Sequence, residues 1–335
     1  MKRQGYLYEQ MCSFQGLYAA CQKALKGHKS NPEAAEFAFN IDREICHLQS
    51  ELLQSNYHSQ PYRYFQIYEP KQRTISVASF RDRVVHHALI GILEPIFERS
   101  FICHSYATRK NKGSLAAVKQ AQRFLREYNW YLKLDISKYF DSIDHQVLMS
   151  LIEQKIKDPK ILELCAKILA TSVKSSDHDT PIGLPIGNLS SQFFANVYLD
   201  SFDHFVLEHL RFPMLRYMDD ILLFADDKAA LKSALKACEC YLQEKLHLKI
   251  KEGSILLNTR VHGLPFLGFR IFPKLIRMKS INVKRMVTKI KLRQYEYKCG
   301  EIDENALYRS VQSMLAFADY ADSRQLLKRI CNTMG

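Results

Sequence analysis

Glycine and proline are scarce, 12 and 10 among 335 residues, so neither a collagen-like repeat nor a long disordered linker is expected. The longest uncharged stretch, Thr180 to Leu199, contains two Pro, two Gly, two Asn and two Ser and makes a poor membrane span. The first residues, Met1-Lys2-Arg3-Gln4-Gly5-Tyr6, carry no apolar core or cleavage signature, which argues against a secretory signal. The nine Cys include no Cys-x-x-Cys pair, and Cys238 and Cys240 point in different directions on an expected helix. A zinc site and a disulfide framework are therefore disfavoured, and a reducing, cytoplasmic compartment is expected. Acidic residues are outnumbered, 35 against 48 Lys and Arg, for a formal net charge of +13. That excess implies a polyanionic partner, most simply nucleic acid, with an acidic membrane as the alternative.

What is present is a globular pattern: 47% hydrophobic residues, with no evident internal repeat and enough chain for two or three subdomains. Leu17, Cys21, Ala24 and Leu25, then Phe37, Ile41, Ile45, Leu48 and Leu52, predict helices through the first 55 residues, with Pro32 in the first turn of the second. From Tyr57 the period becomes two. Tyr62 to Tyr68 and Thr74 to Val77 predict a hairpin with Lys71 and Arg73 at its mouth, either a phosphate-facing tip or a solvated hairpin end. A helix is expected from Asp82 to about Phe97; its His86 and His87 lack a ligand-spaced Cys, Asp or Glu and are not read as metal ligands. The loop Ser105 to Ser114, bearing Arg109, Lys110 and Lys112, predicts a grip on a nucleic-acid backbone, with Ser114 capping the next helix.

Further on, Ile161 to Ser172 predicts a helix. The Gly/Pro-punctuated loop Thr180 to Gln192 is expected to run into a helix from Phe193 to His209 and to form a floor for a nucleotide or template base. Asp226-Asp227 reads as the cap of a long helix ending near Leu246, Leu246 to Lys251 as a strand, and Phe266 to Ile271 as a hairpin element. From Pro273 to Cys299 nine Lys or Arg face one Glu, while Val283, Val287 and Ile290 share a face. A single-signed surface of this kind favours phosphate tracking.

The chain is organised around Arg216-Tyr217-Met218-Asp219-Asp220, whose flanking apolar runs predict a β-hairpin with two carboxylates at its tip. Adjacent acids are pushed together unless a cation shares them, and a divalent ion is the usual remedy, although a bare Asp-Asp is commonly just a polar turn. Tyr131 to Asp135 predicts a second strand ending in an acid; Asp141 and Asp144 are expected to cap the helix that follows. Two or three Asp collected from separate strands suit magnesium and phosphoryl transfer.

In this order the residues resemble a reverse transcriptase of the group II intron-like superfamily. Leu134-Asp135 with Phe140-Asp141 matches the first palm motif, Leu184 to Gln192 the second, Tyr217-Met218-Asp219-Asp220 the third and Phe266-Leu267-Gly268-Phe269 the primer grip, over roughly Tyr62 to Pro273. Where most of the superfamily has Gln-Gly-x-x-x-Ser-Pro, this chain has Ile186-Gly187-Asn188-Leu189-Ser190-Ser191-Gln192, a form similar to the enzymes of bacterial and phage diversity-generating retroelements. The segments 69–73, 82–89 and 105–107 resemble the same group.

The resemblance implies an α+β right-hand polymerase: N-terminal helices and fingers at 1–125, a palm with a ferredoxin-like split βαβ core at 126–272 with a fingers insertion at about 146–183, and a short helical thumb at 273–335. It implies RNA-directed DNA synthesis with two Mg²⁺, or Mn²⁺, on Asp135, the Ile136 backbone, Asp219 and Asp220. Lys71, Arg73, Phe140, Ile186, Gly187 and Gln192 would meet the nucleotide, Phe140 as the gate against a ribose 2′-OH. Arg109, Lys110, Lys112, Phe266, Leu267, Gly268, Lys284, Arg285, Lys289 and Lys291 would meet template and primer. The subgroup further implies a template-repeat RNA, cDNA with errors opposite adenine, and a small basic accessory protein. One departure is Glu252-Gly253-Ser254, where the family usually has a Lys pair, leaving Lys249 or Lys251 as substitutes for the proton donor to pyrophosphate. A retron or phage-defence enzyme and a non-catalytic RNA-binding scaffold or maturation factor are the rival readings.

Overall fold

The helical period of the first 55 residues and the change of period after Tyr57 both reappear in space. The protein, represented by a computed structural model, is described over residues 3–28, 30–68, 72–171 and 181–323. Helices α1 (Tyr8–Cys12), α2 (Phe14–Leu25), α3 (Pro32–Phe39) and α4 (Ile41–Leu53) lead to the hairpin β1 (Arg63–Ile67) and β2 (Arg73–Val77). Next come α5 (Phe80–Glu98), α6 (Ser114–Glu127), β3 (Trp130–Asp135), α7 (His145–Glu153), α8 (Pro159–Ala170) and α9 (Leu189–His204). The chain continues with β4 (Met214–Tyr217), β5 (Asp220–Ala225), α10 (Lys228–Leu246) and β6 (Leu256–Thr259). Strands β7 (Leu264–Phe266), β8 (Phe269–Ile271) and β9 (Ile276–Met278) precede α11 (Ser280–Lys298) and α12 (Glu304–Ala318). Two compact units result: Met1–Cys103, Asp135–His209 and Ala237–Gly253 form the first; His104–Leu134, Leu210–Lys236 and Ser254–Gly335 form the second.

In the first unit, α2 and α4 bury the residues their spacing selects, Leu17, Cys21, Ala24 and Leu25 on one, Ile45, Leu48 and Leu52 on the other. Helix α5 lies in this core with Val84, Val85, Leu89 and Leu93 fully buried, and its Phe97 meets Phe193 of α9 edge-on at 5.5 Å. His86 is a core residue: burial, then the neighbouring His87 and Arg83, push it down to about 4, so it stays neutral in the fold. The hairpin β1–β2 is antiparallel, and strand β1 exposes Tyr64 and Phe65.

In the second unit a four-stranded sheet has the order β4-β5-β3-β6, with β4–β5 and β3–β6 antiparallel. Ala117, Val118, Ala121, Phe124 and Leu125 of α6 share one apolar cluster with Leu215, Leu222 and Phe224 of the β4–β5 hairpin. The β7-β8-β9 meander and Met286 and Ile290 of α11 complete that cluster. Val283 and Val287 pack at its edge, so the cations of α11 are turned outward.

Several local expectations are corrected. Helix α9 begins at Leu189, not Phe193, and ends at His204 in a π-turn, Phe205–His209. Ser190 and Ser191 carry little helical signal, yet their burial in the core fixes them in its first turn. The N-cap of α6 is Gly113, at φ 103, and Ser114 is the first helical residue. Asp144 caps α7 through the amides of Gln146 and Val147, whereas Asp141 sits in a 3-10 turn. Residues 246–251 contribute one isolated bridge, Ile136 to Ile250, rather than a strand. Asp227 caps α10 as expected, and Asp226 instead accepts from Asn129. Among the described residues no helix is long and apolar enough to cross a membrane.

Buried Asp158 couples two distant segments of the first unit. One carboxylate oxygen accepts from the amides of Leu7 and Tyr8 at 2.7 and 3.0 Å, and the other caps α8 through Lys160 and Ile161. Asp158→Ala removes a cap and leaves buried donors unpaired, so the unfolding free energy in a urea titration should fall by about 2–4 kcal/mol. A loss below about 0.5 kcal/mol would show that water replaces the carboxylate without cost.

Candidate active site

In the second unit the β4–β5 hairpin pairs Tyr217 with Asp220, leaving Met218 and Asp219 as a two-residue turn. Met218 is held left-handed at φ 56, a conformation that costs a side-chain-bearing residue about 1–3 kcal/mol. Arg216 is fully buried beneath the turn and its guanidinium donates to the Met218 carbonyl at 3.2 Å. The backbone of Arg216 is bonded on its outer edge to His104 and Tyr106, which fixes β4 at the start of the basic loop.

Asp220 is ion-paired to Lys133, whose ammonium also lies 5.7 Å from the Phe266 ring centroid. Lys133 stands two residues before Asp135 on β3, so both project from one face of the strand. The nearby Lys279 ammonium is held below its ordinary range, first by burial, then by Lys133 and Arg270, against the pull of Asp220. The turn Leu267-Gly268 has φ values of 42 and 88, and the Gly268 carbonyl accepts from the Lys279 amide and the Asn282 side chain. In the basic loop Arg109 donates to the Ser105 carbonyl at 2.8 Å, Lys112 lies over the Tyr106 ring, and Lys110 is exposed. Lys284, Arg285, Lys289 and Lys291 are exposed on α11.

The first unit holds the remaining candidates. Asp135 closes β3, its carboxylate 3.5 Å from Lys251 and its carbonyl bonded to the Lys251 amide. Ile136 is buried, and Phe140 is half-buried against Tyr139 with its carbonyl accepting from Leu184 at 2.7 Å. The Ile186 carbonyl accepts from the Ser76 amide of β2 at 2.7 Å. Gly187 has φ 121, and a Cβ there would stand 2.7 Å from both the Ser76 carbonyl oxygen and Ile75. Backbone bonds thus bring the Phe140 turn, the Ile186-Gly187 loop and the strand bearing exposed Arg73 together. Gln192 lies half-buried in the first turn of α9. Lys71 lies outside the described residues.

Sequences described as reverse transcriptase (RNA-dependent DNA polymerase) share a family profile that matches residues 68–271, more than half of the chain. The chain belongs to the reverse transcriptase family. Its mixed helix-and-sheet architecture is consistent with a right-hand polymerase fold, and its domain is that of an RNA-directed DNA polymerase. Homologues include group II intron-encoded proteins: the protein LtrA of Lactococcus lactis subsp. cremoris is 33% identical over 50% of this chain and 29% of its own length. Protein YkfC of Escherichia coli is 24% identical over 75% of this chain and 77% of its own. The chain spans only 16% of a putative COX1/OXI3 intron 2 protein of Saccharomyces cerevisiae. Among solved structures, telomerase from Candida albicans aligns with TM-score 0.49 and 13% identity over 71% of this chain and 52% of that one.

Reverse transcriptases generally use divalent metals, and the candidate donors here are hard carboxylate oxygens with ammonium groups beside them. Among the described residues no three His, Cys, Asp or Glu side chains form a closed cage. Carboxylate donors fit an ion that takes one or two carboxylates and completes its shell with water and substrate phosphate. Sequence reasoning gave no role at the carboxylates to Arg216, Lys133 or Lys279. Only Lys133 left a signal, its spacing of two from Asp135 on a strand.

Gly187→Ala places a methyl against the Ser76 carbonyl at a φ that L-residues avoid, so unfolding stability should drop by about 1–3 kcal/mol. The Ser76 amide should also lose hydrogen-exchange protection. Parental stability together with parental Ser76 protection would show that the loop does not rest on β2.

Proposed function

We propose that this chain is the error-prone reverse transcriptase of a diversity-generating retroelement. It copies a template-repeat RNA into cDNA with misincorporation opposite template adenine, for transfer into a variable target gene, and works in the cytoplasm with a small basic accessory protein. The observation that carries the reading is Ile186, which stands where most of the family has Gln, in a loop whose backbone is bonded to β2. That bond involves the Ile186 carbonyl and not its side chain, which in this reading is the variable element that meets the incoming nucleotide.

In this reading Asp135 with the Ile136 carbonyl, and Asp219 and Asp220, hold two Mg²⁺, with Mn²⁺ as a substitute. Bound there, the ions supply the positive charge that stabilises phosphoryl transfer. Lys71 and Arg73 bind the triphosphate, Phe140 excludes the ribose 2′-OH, and Gly187 and Gln192 line the nucleotide floor. Arg109, Lys110, Lys112, the Phe266-Leu267-Gly268 turn and the α11 cations Lys284, Arg285, Lys289 and Lys291 hold template and primer. The matching division is fingers at 1–125, palm at 126–272 and thumb at 273–335.

Primer extension on an RNA template tests the chemistry. Asp219→Asn should reduce DNA synthesis to background while RNA affinity stays near parental, because affinity resides in the basic surfaces. Synthesis by that variant near the parental rate would remove the mechanism, and a parent that binds RNA without extending any primer would favour the scaffold reading.

Fidelity tests the subtype. A Gln at 186 can hydrogen-bond the incoming nucleotide and hold it near the in-line geometry, whereas Ile offers shape alone. Discrimination by apolar contact is weak compared with directed hydrogen bonds, so Ile186→Gln should lower misincorporation opposite template adenine by about tenfold. The check is deep sequencing of cDNA made by both enzymes from one adenine-rich template. Identical adenine error rates would return Ile186 to a packing role.

A further inference from the structure

Not all cations of the basic run after Pro273 lie on α11. Lys274 and Arg277 precede α11, and together with Arg126 from the end of α6 and Arg260 after β6 they line a cleft of about 990 Å³ in the second unit. No acidic side chain lines it among the described residues. The cleft lies at the Trp130 end of β3: Thr259 pairs with Trp130, and the Arg260 amide bonds the Asn129 carbonyl. Lys133, which holds Asp220, is about 10 Å along the same strand.

The walls combine charge with flat apolar area. Phe272 closes a tight turn with Leu275, and its ring fills the space over Gly263, where a Cβ would stand 2.6 Å from it. The Arg277 guanidinium lies 5.8 Å from the Phe272 ring centroid. Val261, at the rim, is 76% exposed. Arg126 donates to the Pro273 carbonyl at 2.8 Å and Arg260 to the carbonyls of Leu125 and Arg126. Each guanidinium carries five donors in a rigid fork, so these bonds, with a further one from Arg126 to the Gln122 side chain, hold the arginines in place without using all of their donors.

Cations set beside an aromatic ring suit a ligand with a phosphate backbone and unpaired bases. Duplex nucleic acid hides its base faces, and an acidic peptide has no use for a stacking ring. We propose that this cleft is a second nucleic-acid site, one that binds single-stranded RNA at the opposite end of β3 from the Asp219-Asp220 hairpin. It rests on the reverse transcriptase reading in taking template RNA as the strand at hand, and the segment held is one that flanks the copied nucleotides.

The test uses the full chain saturated with an RNA–DNA template–primer duplex, to which a labelled oligouridylate is then titrated. One additional equivalent of oligouridylate should bind. Lys274→Glu with Arg277→Glu should weaken that binding about tenfold and reduce its log–log salt slope by about 1.4, for two single-strand phosphate contacts. Phe272→Leu, which keeps an apolar filler over Gly263, should weaken it about fivefold or more with the slope unchanged, since only stacking is lost. No second equivalent, or parental affinity and slope in the charge-reversed variant, would overturn the site. Preferential capture of polyglutamate over the RNA would overturn it as well. A parent that extends no primer yet shows the second equivalent and its loss would sink the polymerase reading while leaving the cleft.

Discussion

Two carboxylates on consecutive residues repel each other, and in this chain they sit at the tip of a hairpin whose strands are otherwise buried. Much of the second unit answers that repulsion. Arg216 brings a buried guanidinium beneath the turn and ties it to the Met218 carbonyl, and Lys133 meets Asp220 from the adjacent strand. The left-handed Met218 is the local strain that keeps the tip tight. The apolar cluster of α6, β4, β5 and the meander makes the strain tolerable, because the strands that carry the turn have no room to shift.

The first unit works by backbone contact. Its nucleotide candidates are joined by amide-to-carbonyl bonds, Leu184 to Phe140 and Ser76 to Ile186, so their relative positions do not depend on which side chains they carry. A site assembled this way can exchange Gln for Ile at position 186 without losing its frame. Gly187 is the constraint that accompanies this freedom, since its lack of a side chain is what lets the loop lie on β2.

Elements with strong periodicity were legible from residues alone: the amphipathic α2 and α4, the two-residue alternation of β1 and β2, and the acid-tipped hairpin. The start of α9 was not, because Ser190 and Ser191 have no preference that outweighs their burial, and tertiary packing decided. Nor was 246–251, where an alternating pattern earns only one bridge because pairing needs a neighbour in register. Among candidate site residues, motif order singled out the carboxylates and the loops. The supporting cations were invisible, since Lys133 and Lys279 acquire meaning only once β3, β5 and the start of α11 converge on Asp220. Arg216 stood in the organising stretch with no role assigned to it, and nothing in its sequence context announced complete burial.

The two units are interleaved, each built from three separate stretches, so the chain passes from one to the other five times between Cys103 and Ser254. No single cut releases either of them whole. During synthesis the first unit lacks its last stretch until Gly253 has left the ribosome, and by then only β3, β4 and β5 of the second unit's seven described strands are present. Native pairings that span such separations are slow to form, because loop closure must precede the contacts that reward it. Half-made chains of this protein therefore leave apolar strand and helix faces without their partners, which makes it a poor candidate for expression in fragments.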